Sequence, residues 1–181
     1  MAVSPKPVEV RPLPELGKRC SQQGWLILEY LVAKWLHILS STLLFGTGLG
    51  SAYYMFCASR TREPKVAAAV AGHVVRADWV FTTTAVIFQP LSGLYMARIA
   101  KLPLTTGWIF WTFVLYFLAG ACWLPVVWMQ IRMRRLAQAA VRENTPLPDA
   151  YFDLLRWWTA LGVPAFTAMV VVFWLMVAKP G

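Results

Sequence analysis

Four long apolar stretches, Leu28 to Met55, Trp79 to Ala97, Trp108 to Gln130 and Trp157 to Ala178, decide what this chain of 181 residues is able to become. Each approaches or exceeds the roughly 20 residues that an α-helix needs to cross a hydrocarbon core of about 30 Å. A backbone inside lipid has no water to bond to, so each stretch is expected to close its amides on itself as a helix. The composition agrees: 59% of residues are hydrophobic and only 14% charged, far too apolar for a water-soluble domain of this length. The fold class that follows is all-α, a polytopic membrane protein made of one four-transmembrane-helix bundle in contact with the lipid bilayer.

Ahead of the first stretch, four prolines fall within the first fourteen positions and no apolar run occurs. Residues 1–24 are therefore expected to be a disordered, proline-rich N-terminal tail, and residues 25–181 the transmembrane domain. The tail lacks the short apolar core and small-residue cleavage site of a signal peptide.

A net charge of +9 on a soluble chain would point to nucleic acid, but here the basic residues cluster at span ends and between spans, which makes them a topology signal and leaves no nucleic-acid partner expected. Nine lie between spans one and two or between three and four, against seven in the tail, between two and three, and after four. Both long connections are thus expected in the cytoplasm and both termini in the periplasm. Cys20 and Cys57 then lie on opposite sides of the bilayer and cannot pair. No Cys/His spacing matches a zinc site or a covalent haem attachment.

Span one carries two stripes. Thr42, Gly46 and Gly50 repeat at the small-residue spacing that lets helices approach closely, which suits a homo-oligomer or a membrane-protein partner. His37, Ser41, Gly48 and Ser51 share a nearly opposite meridian, expected to face the bundle. Span two has one polar face, Asp78, Thr82, Ala85, Gln89, Ser92, Gly93 and Met96, which must point away from lipid. Pro90 frees a carbonyl one turn earlier, beside which the Gln89 amide is a fitting local partner. Span three has a small patch at Ala119 to Cys122, and span four aligns Ala160, Pro164, Ala168 and Val171 as a packing face. Six tryptophans, Trp25, Trp79, Trp108, Trp128, Trp157 and Trp158, are placed for an interfacial belt.

Lys34 lies near enough to the head of span one to snorkel to the headgroups. His37 sits deeper, where an ionisable side chain is a candidate site residue. Neutral imidazole is the commonest protein ligand for metals and haem, so His37 is the candidate metal ligand, against the plainer reading of a hydrogen-bonded packing histidine. His73 is expected at the opposite membrane face, which excludes a bis-histidine haem within one chain. Gln89 and Met96 lie at nearly the depth of His37 and complete the candidate cofactor site. Asp78 reads as a helix-start carboxylate or, on the polar face of span two, as an acceptor of protons from the cytoplasm.

The segments "KWLHILSSTLLFGTGLGSAYYMF", "ADWVFTTTAVIFQPLSGLYM" and "LAGACWLPVVWMQIRMRRLA" together resemble the bacterial integral membrane proteins of domain-of-unknown-function family 2269, across roughly residues 28–180. The resemblance implies a four-helix protein of the bacterial inner membrane and brings no activity with it. More distantly, the "HILS" pattern of span one is similar to the first span of HemJ-type protoporphyrinogen oxidases and of CopD-like copper-resistance proteins. That similarity implies haem b on His37. By its depth Lys34, one turn nearer the outer surface, would then either snorkel to the headgroups or sit beside a haem propionate, and such a haem would serve electron transfer. The third-span lysine of the HemJ type has no counterpart in Trp108 to Gln130, so the oxidase reaction itself is not implied. Two readings from other classes stand beside it: a non-enzymatic scaffold or partner subunit using the Thr42, Gly46, Gly50 stripe, and a small proton or metal-ion carrier using the polar face of span two.

Overall fold

The computed structural model describes residues 13–180, which form helices joined by short turns. Helix α1 (Leu13–Arg60) runs from the end of the molecule that holds the termini, the terminal end, to the opposite, basic end. The chain returns through α2 (Pro64–Ala77), a π-helical turn (Asp78–Thr82) and α3 (Thr83–Ile99), which form one continuous rod. Helices α4 (Gly107–Glu143) and α5 (Asp149–Ala178) complete an up-and-down bundle, and the described residues contain no strand. All four rods are long and apolar enough to cross a membrane.

The turns follow from local chemistry. Pro64 opens α2, where its missing N–H costs nothing. At the end of α3, Lys101 is left-handed (φ 53°), and the Leu102 and Lys101 amides bond back to the Ala97 and Arg98 carbonyls. The same wrapping ends α4 at Asn144, whose side chain tolerates that conformation. Pro146 and Pro148 then separate α4 from α5.

The rods overshoot the bilayer. Helix α4, with 37 residues, is about 55 Å long at 1.5 Å per residue. The two connections expected to be long loops are therefore mostly helix: all of α2, the last turns of α4 and the first turns of α5. Interspersed arginines lower the mean hydropathy there, while alanines on one face allow close packing. Ala67, Ala71, Ala137 and Ala140 are buried with Met55, Met133, Leu147 and Tyr151, and this cluster forms the hydrophobic core at the basic end. The Tyr151 hydroxyl lies 2.8 Å from Ser59 Oγ, which donates to the Met55 carbonyl at 2.7 Å, tying α5 to α1. At the other boundary the backbone is helical from Leu13, so the limit drawn at residue 24 for the tail falls inside α1. Residues 1–12 of that expected tail lie outside the described residues.

Above the basic-end cluster, large apolar side chains face outward. Tyr53, Tyr54, Trp79, Trp128 and Trp157 are exposed near the basic end of the apolar stretches, and Trp25, Trp111 and Trp174 near the terminal end. Two such rings of aromatics are what headgroup layers on either side of a bilayer select. Trp158 departs from the expected belt: it is buried, because it faces the bundle beside its exposed neighbour Trp157. The expected packing face of span four is also displaced. Tyr151, Trp158, Ala168 and Val172 are buried, whereas Ala160, Pro164 and Val171 are exposed.

Candidate functional site

Two polar places interrupt the apolar interior of the spans. The first lies toward the terminal end, where α1 packs on α3. His37 Nδ1 lies 2.7 Å from Ser92 Oγ, and the imidazole rests over Gly93, where an added Cβ would meet His37 Cε1 at 3.7 Å. The Gln89 amide donates to the His37 carbonyl at 2.9 Å. His37 and Gln89 are thus together, but Gln89 holds the backbone of α1 rather than the ring. Lys34 is exposed one turn nearer the terminal end, and Met96, half-buried, lies one turn beyond Ser92. Farther up, the Tyr95 hydroxyl donates to Glu29.

The hydrogen bonds at Ser92 orient the ring. Ser92 Oγ lies 2.7 Å from the Phe88 carbonyl of its own helix, and with its single proton given there it accepts from His37 Nδ1–H. Nε2 is then the unprotonated nitrogen, the form in which an imidazole ligates iron. Among the described residues, no three His, Cys, Asp or Glu side chains gather into a metal-binding group. The donor that a haem or metal would find here is therefore one imidazole nitrogen.

The second place lies deeper. Pro90 leaves the Val86 carbonyl without its helical donor. The Tyr116 hydroxyl of α4 supplies one at 2.6 Å, so the partner is a tyrosine across the bundle and not Gln89. Below this bond a cavity of about 380 Å³ opens among all the spanning rods. On its α1 wall stand Phe45, Gly48 and Ser51, on its α4 wall Gly120 and Trp123, and on its α5 wall Gly162 and Phe166. Phe45 stacks on Phe166 at 4.8 Å between ring centroids and meets Phe173 edge-on at 5.3 Å. An added Cβ at Gly48, Gly120 or Gly162 would meet nothing within 4 Å, so these glycines are spaces that larger side chains would fill.

The polar wall of the cavity is made by the π-helical turn. There the Thr83 amide and hydroxyl both bond to the Asp78 carbonyl, the hydroxyl at 3.0 Å. The widened turn buries Asp78 and Thr82 while Trp79, Val80 and Phe81 stay outside. Wide turns of this kind recur at functional positions. Asp78 is 4% exposed, and its Oδ1 accepts from Thr82 Oγ1 at 2.9 Å. Gln130 faces it from α4, 3% exposed, with Oε1 lacking a hydrogen-bond partner. Trp158 Nε1, on the α5 wall, lacks one too. Buried polar atoms without partners cost stability, of the order of 1–3 kcal/mol each, and call for an explanation.

Asp78 is in mid-rod and not at a helix start, because the helix begins at Pro64. Gln130 and Tyr116 carry no signal in the sequence, the first as the last residue of an apolar stretch and the second as an ordinary aromatic, while Trp158 is expected in the interfacial belt and not in a site. The stripe Thr42, Gly46, Gly50 stands apart from both places: Thr42 and Gly46 are exposed, and an added Cβ at either glycine would meet no other part of the chain.

Four membrane-length helices, outward aromatics and a polar pocket within the apolar interior define a polytopic helical membrane protein. More particularly, the chain belongs to the family described as predicted integral membrane protein (DUF2269), whose model matches residues 31–180. No curated protein and no solved structure matches it.

Proposed function

We propose that this is a membrane-embedded binding protein for a small lipid-soluble molecule, held in the cavity between the α1/α3 and α4/α5 pairs. The observation that carries the reading is a cavity of about 380 Å³ with apolar walls and, at its polar wall, Gln130 and Trp158 each offering an unpartnered atom. Ligand sites are mostly apolar pockets of this size with a few polar atoms that set orientation. Native mass spectrometry of protein extracted gently from its membrane tests it. A small molecule released from the wild type and absent from Gly120→Leu, whose side chain occupies the cavity, is expected. Equal release from both, or none from the wild type, contradicts it.

The charge distribution supports an orientation with both connections at the basic end in the cytoplasm and both termini periplasmic, and the family resemblance supports the bacterial inner membrane as the location. In intact cells an impermeant maleimide should label Cys20 and leave Arg142→Cys untouched; the reverse pattern refutes this orientation.

The Ser92 bond favours a second reading, haem b on His37 Nε2, serving electron transfer. Bound there, haem would supply a one-electron couple, and this chain would supply the ligand and, through Ser92, its orientation. Protein produced with ample haem should then show a Soret band that His37→Ala abolishes. A colourless wild type, unchanged by haem titration, removes this reading and leaves the cavity untouched.

A further inference from the structure

Resting on the cavity reading, we infer that the ligand is a lipophilic amine bound in its protonated form, with N–H groups on Asp78 and Gln130 and its apolar body among the aromatic walls. Asp78 is deeply buried, and among the described residues the single ion pair is Arg156 with Asp153, so no described cation answers its carboxylate. Among the described residues its polar neighbours are the Thr82 hydroxyl, which donates to Oδ1 at 2.9 Å, and the facing Gln130 side chain. Gln130 Oε1 beside it is a further buried acceptor with no donor. A carboxyl group and an amide oxygen side by side among apolar walls suit a donor that brings positive charge, which would hold Asp78 ionised when it binds.

The walls suit such a cation. Phe45, Tyr116, Trp123, Trp158 and Phe166 all line the cavity, and aromatic faces attract an ammonium that has left water. Other ligand chemistries fit less well. An anion meets the Asp78 carboxylate, a hydrocarbon leaves the Gln130 carbonyl unbonded, and a quaternary ammonium has no N–H to give. The Trp158 indole N–H remains for an acceptor on the same ligand or for a water that enters with it.

Three probes of similar shape separate these cases: phenylbutylamine, its trimethylammonium derivative, and pentylbenzene, in which a methyl group replaces the ammonium. They are titrated into the full chain in phosphatidylcholine nanodiscs while the fluorescence of its tryptophans, Trp123 and Trp158 among them, is followed. Phenylbutylamine should bind saturably and the other two at least about tenfold more weakly, the equivalent of about 1.4 kcal/mol and within the worth of one charged hydrogen bond. Gln130→Leu should weaken the amine by about tenfold without weakening pentylbenzene, and Asp78→Asn should weaken the amine further. Should Asp78→Asn fail to fold, the probe series and Gln130→Leu decide the matter alone.

Pentylbenzene binding as tightly as the amine, with Gly120→Leu abolishing both, overturns the amine and leaves the cavity reading standing. A trimethylammonium derivative equal to the amine overturns the N–H contacts. If no probe binds saturably, both readings fall.

Discussion

The two halves of this bundle solve packing differently. At the basic end, α2 and the end of α4 press together through Ala67, Ala71, Ala137 and Ala140, Met133 and Tyr151 fill the space between, and the Tyr151 hydroxyl finds Ser59. In the spans, α1 pairs with α3 and α4 with α5, and between the pairs lies a cavity whose glycines decline to fill it. The dense half rests on packing that tolerates no lost volume, whereas lipid supplies no hydrophobic force to close the other. A molecule built this way holds its helices from one end and leaves room at the other. That division is what a binding protein needs, because rigidity outside the site preserves space within it.

Substitutions in the two halves should therefore have opposite consequences. The largest effect is expected from Tyr151→Ala, which removes a fully buried ring and its bond to Ser59: a loss of about 3–5 kcal/mol, read as a fall in the thermal unfolding midpoint in detergent. Met133→Ala should follow at about 2–5 kcal/mol in the same assay. If either leaves the midpoint unchanged, the dense half does not hold the bundle. Tyr116→Phe deletes only the donor to the Val86 carbonyl and should cost about 0.6–1.5 kcal/mol. A larger loss would show that α4 is tied to α3 chiefly through this bond. Gly120→Leu, in the open half, should leave stability unchanged or raise it slightly while removing ligand. A marked loss would mean that the cavity collapses in the lipid-embedded protein.

The same contrast governs what the amino acids disclose. The four spans were legible because lipid imposes length and apolarity on every crossing segment, and the inward polar face of span two because lipid forbids its exposure. The helical extension was hidden by averaging. Lys65, Arg76, Arg132, Arg134 and Arg135 depress mean hydropathy, although the pairs Ala67 and Ala71, and Ala137 and Ala140, keep helical spacing. Once the start of the rod is misplaced from Pro64 to Trp79, Asp78 turns from a buried mid-rod carboxylate into a helix-start residue. The juxtaposition of His37 with Ser92 and Gly93 follows from antiparallel pairing of α1 and α3 and could be anticipated. The cavity could not, because it depends on which faces of α4 and α5 turn inward. Trp158 and Ala168 turn inward, and the aligned Ala160, Pro164 and Val171 do not.

The claim that the open half is the occupied one can be tested by photolabelling the full chain in nanodiscs with a diazirine-bearing phenylbutylamine and mapping the adducts by peptide mass spectrometry. Adducts are expected on the segments that hold Phe45, Trp123 and Phe166, suppressed by excess unlabelled phenylbutylamine and absent from Gly120→Leu. Adducts confined to lipid-facing segments around Trp128 and Trp174, undiminished by competitor, would contradict it.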